Sequence, residues 1–396
     1  MNITFLKLYI TDELNSSFYN SQEIGLAKAV TEVYPEHRVN IVLLSHCESK
    51  VEQITDKVTL YVVKAKGIGH HGMLDGAALV GNGDAGGVAT GLDILKTLNT
   101  DLLHLLADNM LYAPNVIRYC RKNGIKYHLY IGTLFTDSNK WYRKALDRLM
   151  MARNIAEYKK SPVYVKTPFV QEQCKELGIE AKLAPVGLNP EDVELSERTV
   201  EEIRAQYGIP TGKKVLLFVG RLEEYKHPLD AIDVMRGLDD HLVIVGQGSL
   251  EETLRRRIKE YGFEDCVTII PRVPNSEMKH LYKACDYFVN FNPDEIYGMS
   301  ILEAMAHKCL VFAIDAPGPR FLINDGATGF LCSSVEEMTL KICRCEAEDE
   351  AACKMAEKGD GLSSGNKSET ILEAARQQIR DGFIWDKLAD KFDDIN

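Results

Sequence analysis

Two clusters of charged residues at glycine turns carry the chemistry open to this sequence. The first is Val219-Gly220-Arg221, with Lys226 five residues on. An apolar strand ends at the glycine, whose missing side chain lets backbone approach a ligand. The arginine and lysine then leave the strand end together. Two cations so placed suit a diphosphate whose charge grows as a leaving group departs. The alternative is a surface pair neutralised by Glu223 and Glu224. The second cluster runs Asp294-Glu295-Ile296-Tyr297-Gly298-Met299-Ser300-Ile301-Leu302-Glu303-Ala304-Met305-Ala306. Glu295 falls in the loop after an apolar strand and Gly298 makes a tight turn. A helix begins near Ser300, and its unpaired first amides suit phosphate oxygens. Glu303 sits among apolar residues in the first turns of that helix, where a carboxylate is costly unless it accepts hydrogen bonds. Ribose hydroxyls are suitable donors for it, and sugar hydroxyls for Glu295. The alternative is a Glu303 that merely reaches solvent.

The elements that must position these residues alternate in the manner of βαβ units. Apolar runs predict strands at 3–8, 39–44, 58–63, 102–106, 127–131, 163–166 and 182–186. Helical stretches are predicted at 23–33, 88–98, 115–121 and 169–177. A polar stretch from Asn189 to Gly212 reads as a linker and short helix, after which the pattern restarts. Strands are expected at 215–219, 241–245, 267–270, 287–291 and 310–313, with helices at 228–237, 250–261, 277–285 and 301–307. A charged helical tail follows from about 335, with a Gly/Ser break at 359–365. Trp385, Leu388 and Phe392 make one face of its last helix. The expectation is two doubly wound α/β domains, with ligands beyond the carboxyl ends of the strands in a cleft between them.

Two stretches stand apart. Residues 66–91 hold nine glycines and the pair His70-His71. The spacing fits neither a P-loop nor a GxGxxG fingerprint, which leaves a long flexible loop or a phosphate-cradling one. Residues 139–160 read as one long helix. Its cations are Lys140, Arg143, Lys144, Arg148, Arg153, Lys159 and Lys160, against Asp147 and Glu157. That is either an ordinary solvated helix or a basic face for an anionic lipid or substrate.

Composition excludes several classes. With 396 residues and 45% hydrophobic content the chain has apolar mass for two cores. Its net charge of −11 repels a long polyanion, so a nucleic-acid partner is not expected. No apolar run reaches 18 residues, and the first ten read as a strand rather than a leader. The expected location is the cytoplasm, possible contact with the inner face of the membrane included. Ten cysteines without a CxxC pair predict free thiols and no metal site.

Taken together, these motifs resemble the retaining, nucleotide-sugar-dependent glycosyltransferases of family 4, the glycogen synthase and sucrose synthase-like glycosyl transferase group 1 with the GT-B fold. The pattern E-x-F-G-x-x-x-x-E-A-M-A appears as Glu295, Tyr297, Gly298, Glu303, Ala304, Met305 and Ala306. The V-G-R-L…K element appears as Val219, Gly220, Arg221, Leu222 and Lys226. Val243-Ile244-Val245-Gly246-Gln247-Gly248 looks like the next strand and glycine turn, and Asp325-Gly326-Ala327-Thr328-Gly329-Phe330-Leu331 like the D-G-x-x-G-F-L turn.

The resemblance implies an acceptor-binding domain over 1–190, a nucleotide-sugar-binding domain over 191–375, and a last helix, 376–396, crossing back onto the first. It implies that Arg221 and Lys226, beside Gly220, bind the diphosphate and stabilise its departure. Glu303 holds the ribose and Glu295 the donor sugar. Backbone from Tyr297 through Gly298 and Met299 to Ser300 meets phosphate or sugar, and Arg272-Val273 lies where the base is contacted. No metal or other cofactor is implied, only a nucleotide sugar as co-substrate. UDP-glucose is favoured on family frequency, with hexose transfer to a hydroxyl acceptor such as a saccharide, lipid-linked glycan or surface polymer. Two departures stand out. The family's Gly-Gly turn before the first helix is replaced by Asn20-Ser21-Gln22-Glu23, and its T-x-H-G histidine by Ile131-Gly132. His104, His128, His70 or His71 would have to supply the histidine role, with His128 better read as core. Asp108 and Asn109, after a strand end, are candidates for acceptor or sugar hydroxyls. The other readings are a UDP-sugar epimerase of the same fold and a non-catalytic nucleotide-binding partner subunit.

Overall fold

The computed structural model describes residues 1–11, 22–65, 75, 79, 91–108, 110–135, 148–357 and 367–395. The chain divides into two compact units, Met1–Asn189 with Trp385–Asn396, and Pro190–Ile384.

In the first unit, β1 (Asn2–Ile10), β2 (Arg38–Ser45), β3 (Lys50–Gln53), β4 (Val58–Lys64), β5 (Leu102–Leu106), β6 (Lys126–Ile131), β7 (Val163–Val165) and β8 (Lys182–Leu183) form one sheet, ordered β3-β4-β2-β1-β5-β6-β7-β8. Every pairing is parallel except β3 with β4. The short β3 was not expected. Its Lys-Val-Glu-Gln alternates at the sheet edge and buries nothing fully, so no apolar run marks it. The strands behind it are buried on both faces, which is why they read as continuous Val/Ile/Leu runs. Helices Gln22–Val33, Ala113–Asn123 and Pro168–Glu176 cover the sheet. The last begins where the Thr167 hydroxyl accepts the Val170 N–H at 3.3 Å. The expected single helix over 139–160 is interrupted. Within its described part a turn at Met151 separates helical residues 148–150 from the helix Ala152–Tyr158.

The second unit opens with a 3-10 turn at Pro190–Val193, followed by the helix Val200–Tyr207, whose Thr199 and Glu202 form a capping box. Strands β9 (Val215–Val219), β10 (His241–Val245), β11 (Val267–Ile270), β12 (Tyr287–Asn290), β13 (Leu310–Ile314) and β14 (Phe330–Cys332) are all parallel, ordered β11-β10-β9-β12-β13-β14. Numbered within the unit this is the order 3-2-1-4-5-6 of the dinucleotide-binding fold, and its strand order reverses between β9 and β12. Leu216, Leu242, Val289 and Phe312 are buried in its core.

The long helices Val335–Glu357 and Lys367–Gly382 follow. Residues 376–384 remain with the second unit, and the chain joins the first only from Trp385. The reason is local. Arg376 donates to the carbonyl of Val193 at 2.9 Å and to that of Ala306, while Phe383 packs its ring edge-on to Phe321. The Trp385 N–H then bonds to the Leu188 carbonyl at 3.0 Å.

Candidate functional site

Arg221 and Lys226 follow β9, and Glu295 follows β12, so the two clusters meet at the reversal point of the second sheet. That is where such sheets bind ligands. The backbone there is fixed by β10. Gly220 and Leu222 donate to the carbonyls of Val245 and Gln247 at 3.0 and 2.9 Å. A Cβ on Gly246 would lie 1.9 Å from the Gly220 oxygen, and one on Gly248 2.4 Å from the Leu222 oxygen. These two glycines are therefore dictated by close backbone approach. At Gly220 itself a Cβ would come no nearer than 3.6 Å to Phe218, so protein packing does not require the glycine there.

The alternative reading, in which Glu223 and Glu224 pair with the two cations, finds no such ion pair among the described residues. Glu223 instead accepts the Ser249 N–H at 3.0 Å and its hydroxyl at 2.6 Å, which ties the loop after β9 to the turn after β10. Those bonds hold its carboxyl below the usual range. Lys226 Nζ lies 2.6 Å from Glu295 Oε2, and the same oxygen accepts from Asn292 Nδ2 at 3.2 Å. Arg221 is exposed and makes no ion pair among the described residues. Its guanidinium lies over the Tyr225 ring, 5.4 Å from the centroid, and Lys226 Nζ is 5.5 Å from that same centroid.

The loop bearing Glu295 is built by its own side chains. Asn290 Oδ1 accepts the Asn292 N–H at 3.2 Å, and Asn292 Oδ1 the Asp294 N–H at 3.0 Å. The Glu295 carbonyl accepts the Gly318 N–H at 2.7 Å. A Cβ on Gly318 would lie 2.5 Å from the Tyr297 oxygen, so the loop rests directly on that backbone. The Tyr297 ring is 3% exposed and packs near Phe321, which leaves the backbone, not the ring, for contact with a ligand. Gly298, at φ +97°, opens the helix Met299–Ala306. The amides of Met299 and Ser300 begin that helix and have no acceptor within it.

Glu303, one turn further on, is half-buried and accepts the Tyr282 hydroxyl at 2.8 Å. Burial raises its pKa to about 7, opposed by the Tyr282 bond and reinforced by Asp192. Tyr282 is fully buried and stacks on His307, so this partner is rigid. Arg272 is exposed after β11, and Val273 beside it is buried. Sequence reasoning missed Tyr225, Asn292, Ser249, Tyr282 and Gly318. Tyr225 and Asn292 lie inside or beside the motifs and could have been flagged. Tyr282 and Gly318 become neighbours of the site only through tertiary packing.

In the first unit, Asp108 Oδ1 accepts the N–H groups of Gly132 at 2.6 Å and Thr133 at 3.1 Å, clamping the ends of β5 and β6 together. Burial raises its carboxyl pKa and those two bonds oppose the rise. Gln22 accepts from Lys166 Nζ at 3.3 Å at the start of the first helix. His70, His71 and Asn109 lie outside the described residues. His104 and His128 are buried in the core, 2.7 Å apart through Nδ1 and Nε2, with Phe392 stacked on His128. Neither can supply the histidine role, because core aromatics cover both rings.

Two Rossmann-like α/β units with a C-terminal helical segment returned to the first define the GT-B architecture. Residues 199–361 match the family model described as glycosyl transferases group 1. Across nearly the full length, the fold is that of the sucrose-phosphate synthase of Thermosynechococcus elongatus, at TM-score 0.75 and 17% identity over 98% of this chain and 96% of that one. Anabaena HepE in complex with UDP-glucose superposes at TM-score 0.67 and 16% identity, covering 98% and 97% of the two chains. By sequence, the chain is 24% identical to the alpha-monoglucosyldiacylglycerol synthase of Streptococcus pneumoniae over 61% of its own length and 50% of that protein. It is 31% identical to the D-inositol 3-phosphate glycosyltransferase of Corynebacterium glutamicum over 35% and 37%. The chain thus spans half or less of the length of these curated relatives.

Proposed function

We propose that this chain is a retaining glycosyltransferase of family 4 that moves a hexose from a nucleotide sugar, UDP-glucose by preference, to a hydroxyl acceptor. The observation that carries the reading is the meeting of Arg221, Lys226 and Glu295 where the second sheet reverses its strand order. Arg221 and Lys226 bind the diphosphate, with the first amides of the helix Met299–Ala306 as further donors. Glu303 accepts from the ribose and Glu295 from the donor sugar. As the bond from the anomeric carbon to the diphosphate oxygen breaks, its electron pair stays on the diphosphate, where the two cations stabilise it. The acceptor oxygen bonds the same face of the sugar, and its proton passes to a diphosphate oxygen. The match of residues 199–361 to the glycosyl transferase group 1 model supports this assignment.

For the acceptor we favour a lipid-linked one, used at the inner face of the membrane. Leu149 and Met150 are 73% and 40% exposed beside the exposed Arg148, an apolar pair flanked by positive charge. The relative named as an alpha-monoglucosyldiacylglycerol synthase supports the same choice.

The test has two parts. A thermal-shift series with UDP, GDP, ADP and their sugars should show one nucleotide family raising Tm. Incubation of the stabilising donor with candidate acceptors, followed by proton NMR, should then show a product of unchanged anomeric configuration. Inversion would refute retention, and a sugar nucleotide of altered stereochemistry without acceptor would indicate epimerisation instead. Flotation with anionic vesicles checks the membrane reading, which fails if Leu149→Ser/Met150→Ser floats as well as the wild type.

A further inference from the structure

The cations after β9 are steered by an aromatic ring that the function above leaves unused. Tyr225 is 43% exposed, too open to the solvent for a core role. It sits in the 3-10 turn Glu224–Lys226, closed by His227 in the left-handed region at φ 52°. His227 Nδ1 lies 3.3 Å from Asp230, so the turn is held at its far end too. Glu223, the nearest carboxylate in sequence, is occupied by Ser249. Glu223 feels the Arg221 charge without forming an ion pair with it, and the Arg221 guanidinium lies over the Tyr225 face, at 5.4 Å. A free arginine loses rotamer entropy when a ligand immobilises it. Stacking its plane on a fixed ring removes part of that loss beforehand, and the guanidinium edge stays open to form bonds. Lys226, at 5.5 Å from the same ring, is also held by Glu295.

We infer that Tyr225 is a positioning residue for nucleoside diphosphate, holding Arg221 in its anion-binding orientation before the ligand arrives. The ring does so without neutralising the charge, which a carboxylate partner would do. This rests on the diphosphate reading of the site. Its particular consequence is that the contribution of Tyr225 passes chiefly through Arg221, because Lys226 has Glu295 as a second partner.

Titration calorimetry with UDP, GDP and ADP on the wild type selects the nucleotide that binds most tightly, and that nucleotide is used with every variant. Tyr225→Phe keeps the ring face and should bind like the wild type. Tyr225→Leu and Tyr225→Gln should each weaken binding about five- to tenfold. In the Arg221→Ala background, Tyr225→Leu should cost much less than it does in the wild type. Wild-type affinity in both non-aromatic variants would overturn the inference and leave the functional reading standing. An equal loss in Tyr225→Phe, or losses that add in the double variant, would do the same. If none of the three nucleotides binds the wild type, the diphosphate reading itself falls, and this inference with it.

Discussion

The titration of Glu303 gives the site a pH dependence whose sign follows from its surroundings. Burial holds its pKa at about 7, well above the ordinary carboxyl value of 4.5. A carboxylate accepts two ribose hydroxyl bonds, whereas the protonated acid must give up acceptor capacity, so the donor selects the ionised form. Nucleotide affinity should therefore rise with pH through about 7, and Glu303→Gln should bind weakly and lose that slope. Calorimetry between pH 6 and 8 checks both. The same shift has a stability counterpart of opposite sense. The folded state holds the proton longer than the unfolded one, so this group's contribution declines as pH rises from about 4.5 to 7. Arg221 acts where charge develops, so Arg221→Ala should lower kcat by about 10²- to 10³-fold, with a smaller change in donor affinity. Steady-state kinetics with saturating acceptor separates the two. Loss confined to KM would place Arg221 in uniform binding instead.

At the scale of elements, the loop carrying Arg221 depends on the glycine turn after β10. Gly246→Ala would put a methyl 1.9 Å from the Gly220 oxygen, and neither backbone can yield without breaking the bonds that join β9 to β10. The expected cost is about 2 kcal/mol or more, read as a lower denaturation midpoint together with weakened nucleotide binding. Gly220→Ala, with room for a Cβ, should leave stability almost unchanged, so any loss of nucleotide binding in it would report on the ligand side. In the first unit, the buried pair His104–His128 makes β5 and β6 sensitive to acid. Burial lowers both pKa values, that of His104 further through the neighbouring His128. The Asp394 carboxylate, 3.3 Å from His128 Nδ1, opposes the shift on His128. The unfolded chain takes up protons near pH 6.5 and the folded core resists them, so stability is complete above that pH and declines below it. Tm should fall between pH 7 and 5, and His128→Gln should flatten the curve.

Over the whole molecule, the segment Trp385–Ile395 completes the first unit. Trp385, Leu388, Phe392 and Ile395 are buried there, and Phe392 meets the rings of His104, His128, Tyr130 and Tyr164. A Cβ on Gly25 would lie 2.3 Å from Trp385 Nε1, so the first helix needs that glycine to admit the indole. His37 bonds to the Ile395 carbonyl at 2.9 Å, and Tyr34 donates to Asp390 at 2.6 Å. Removing residues 385–396 withdraws five buried apolar side chains, Ala389 included, a loss on the order of 5 kcal/mol. The truncated chain should aggregate or bind a hydrophobic dye. A truncated chain with wild-type Tm would show that the segment is a passive cover.

Much of this was legible in the residue order because parallel strands buried on both faces leave unbroken apolar runs. The runs at β5, β9, β10 and β11 mark their ends to the residue. The site was legible where its residues sit in one local stretch: Arg221 and Lys226 behind a strand end, Glu295 and Gly298 before a helix. Elements without an apolar run went unseen, as with the edge strand Lys50–Gln53, and so did the break at Met151 within a stretch whose composition is helical throughout. Local order determined which residues stand at strand ends, because backbone geometry and side-chain periodicity act over a few neighbours. Only the tertiary structure decided their partners: Lys226 with Glu295 across 69 positions, Glu223 with Ser249, Glu303 with Tyr282, and the histidines with the returning tail. Such pairings depend on strand order and packing, which bring together residues whose separation along the chain carries no information about their distance in space.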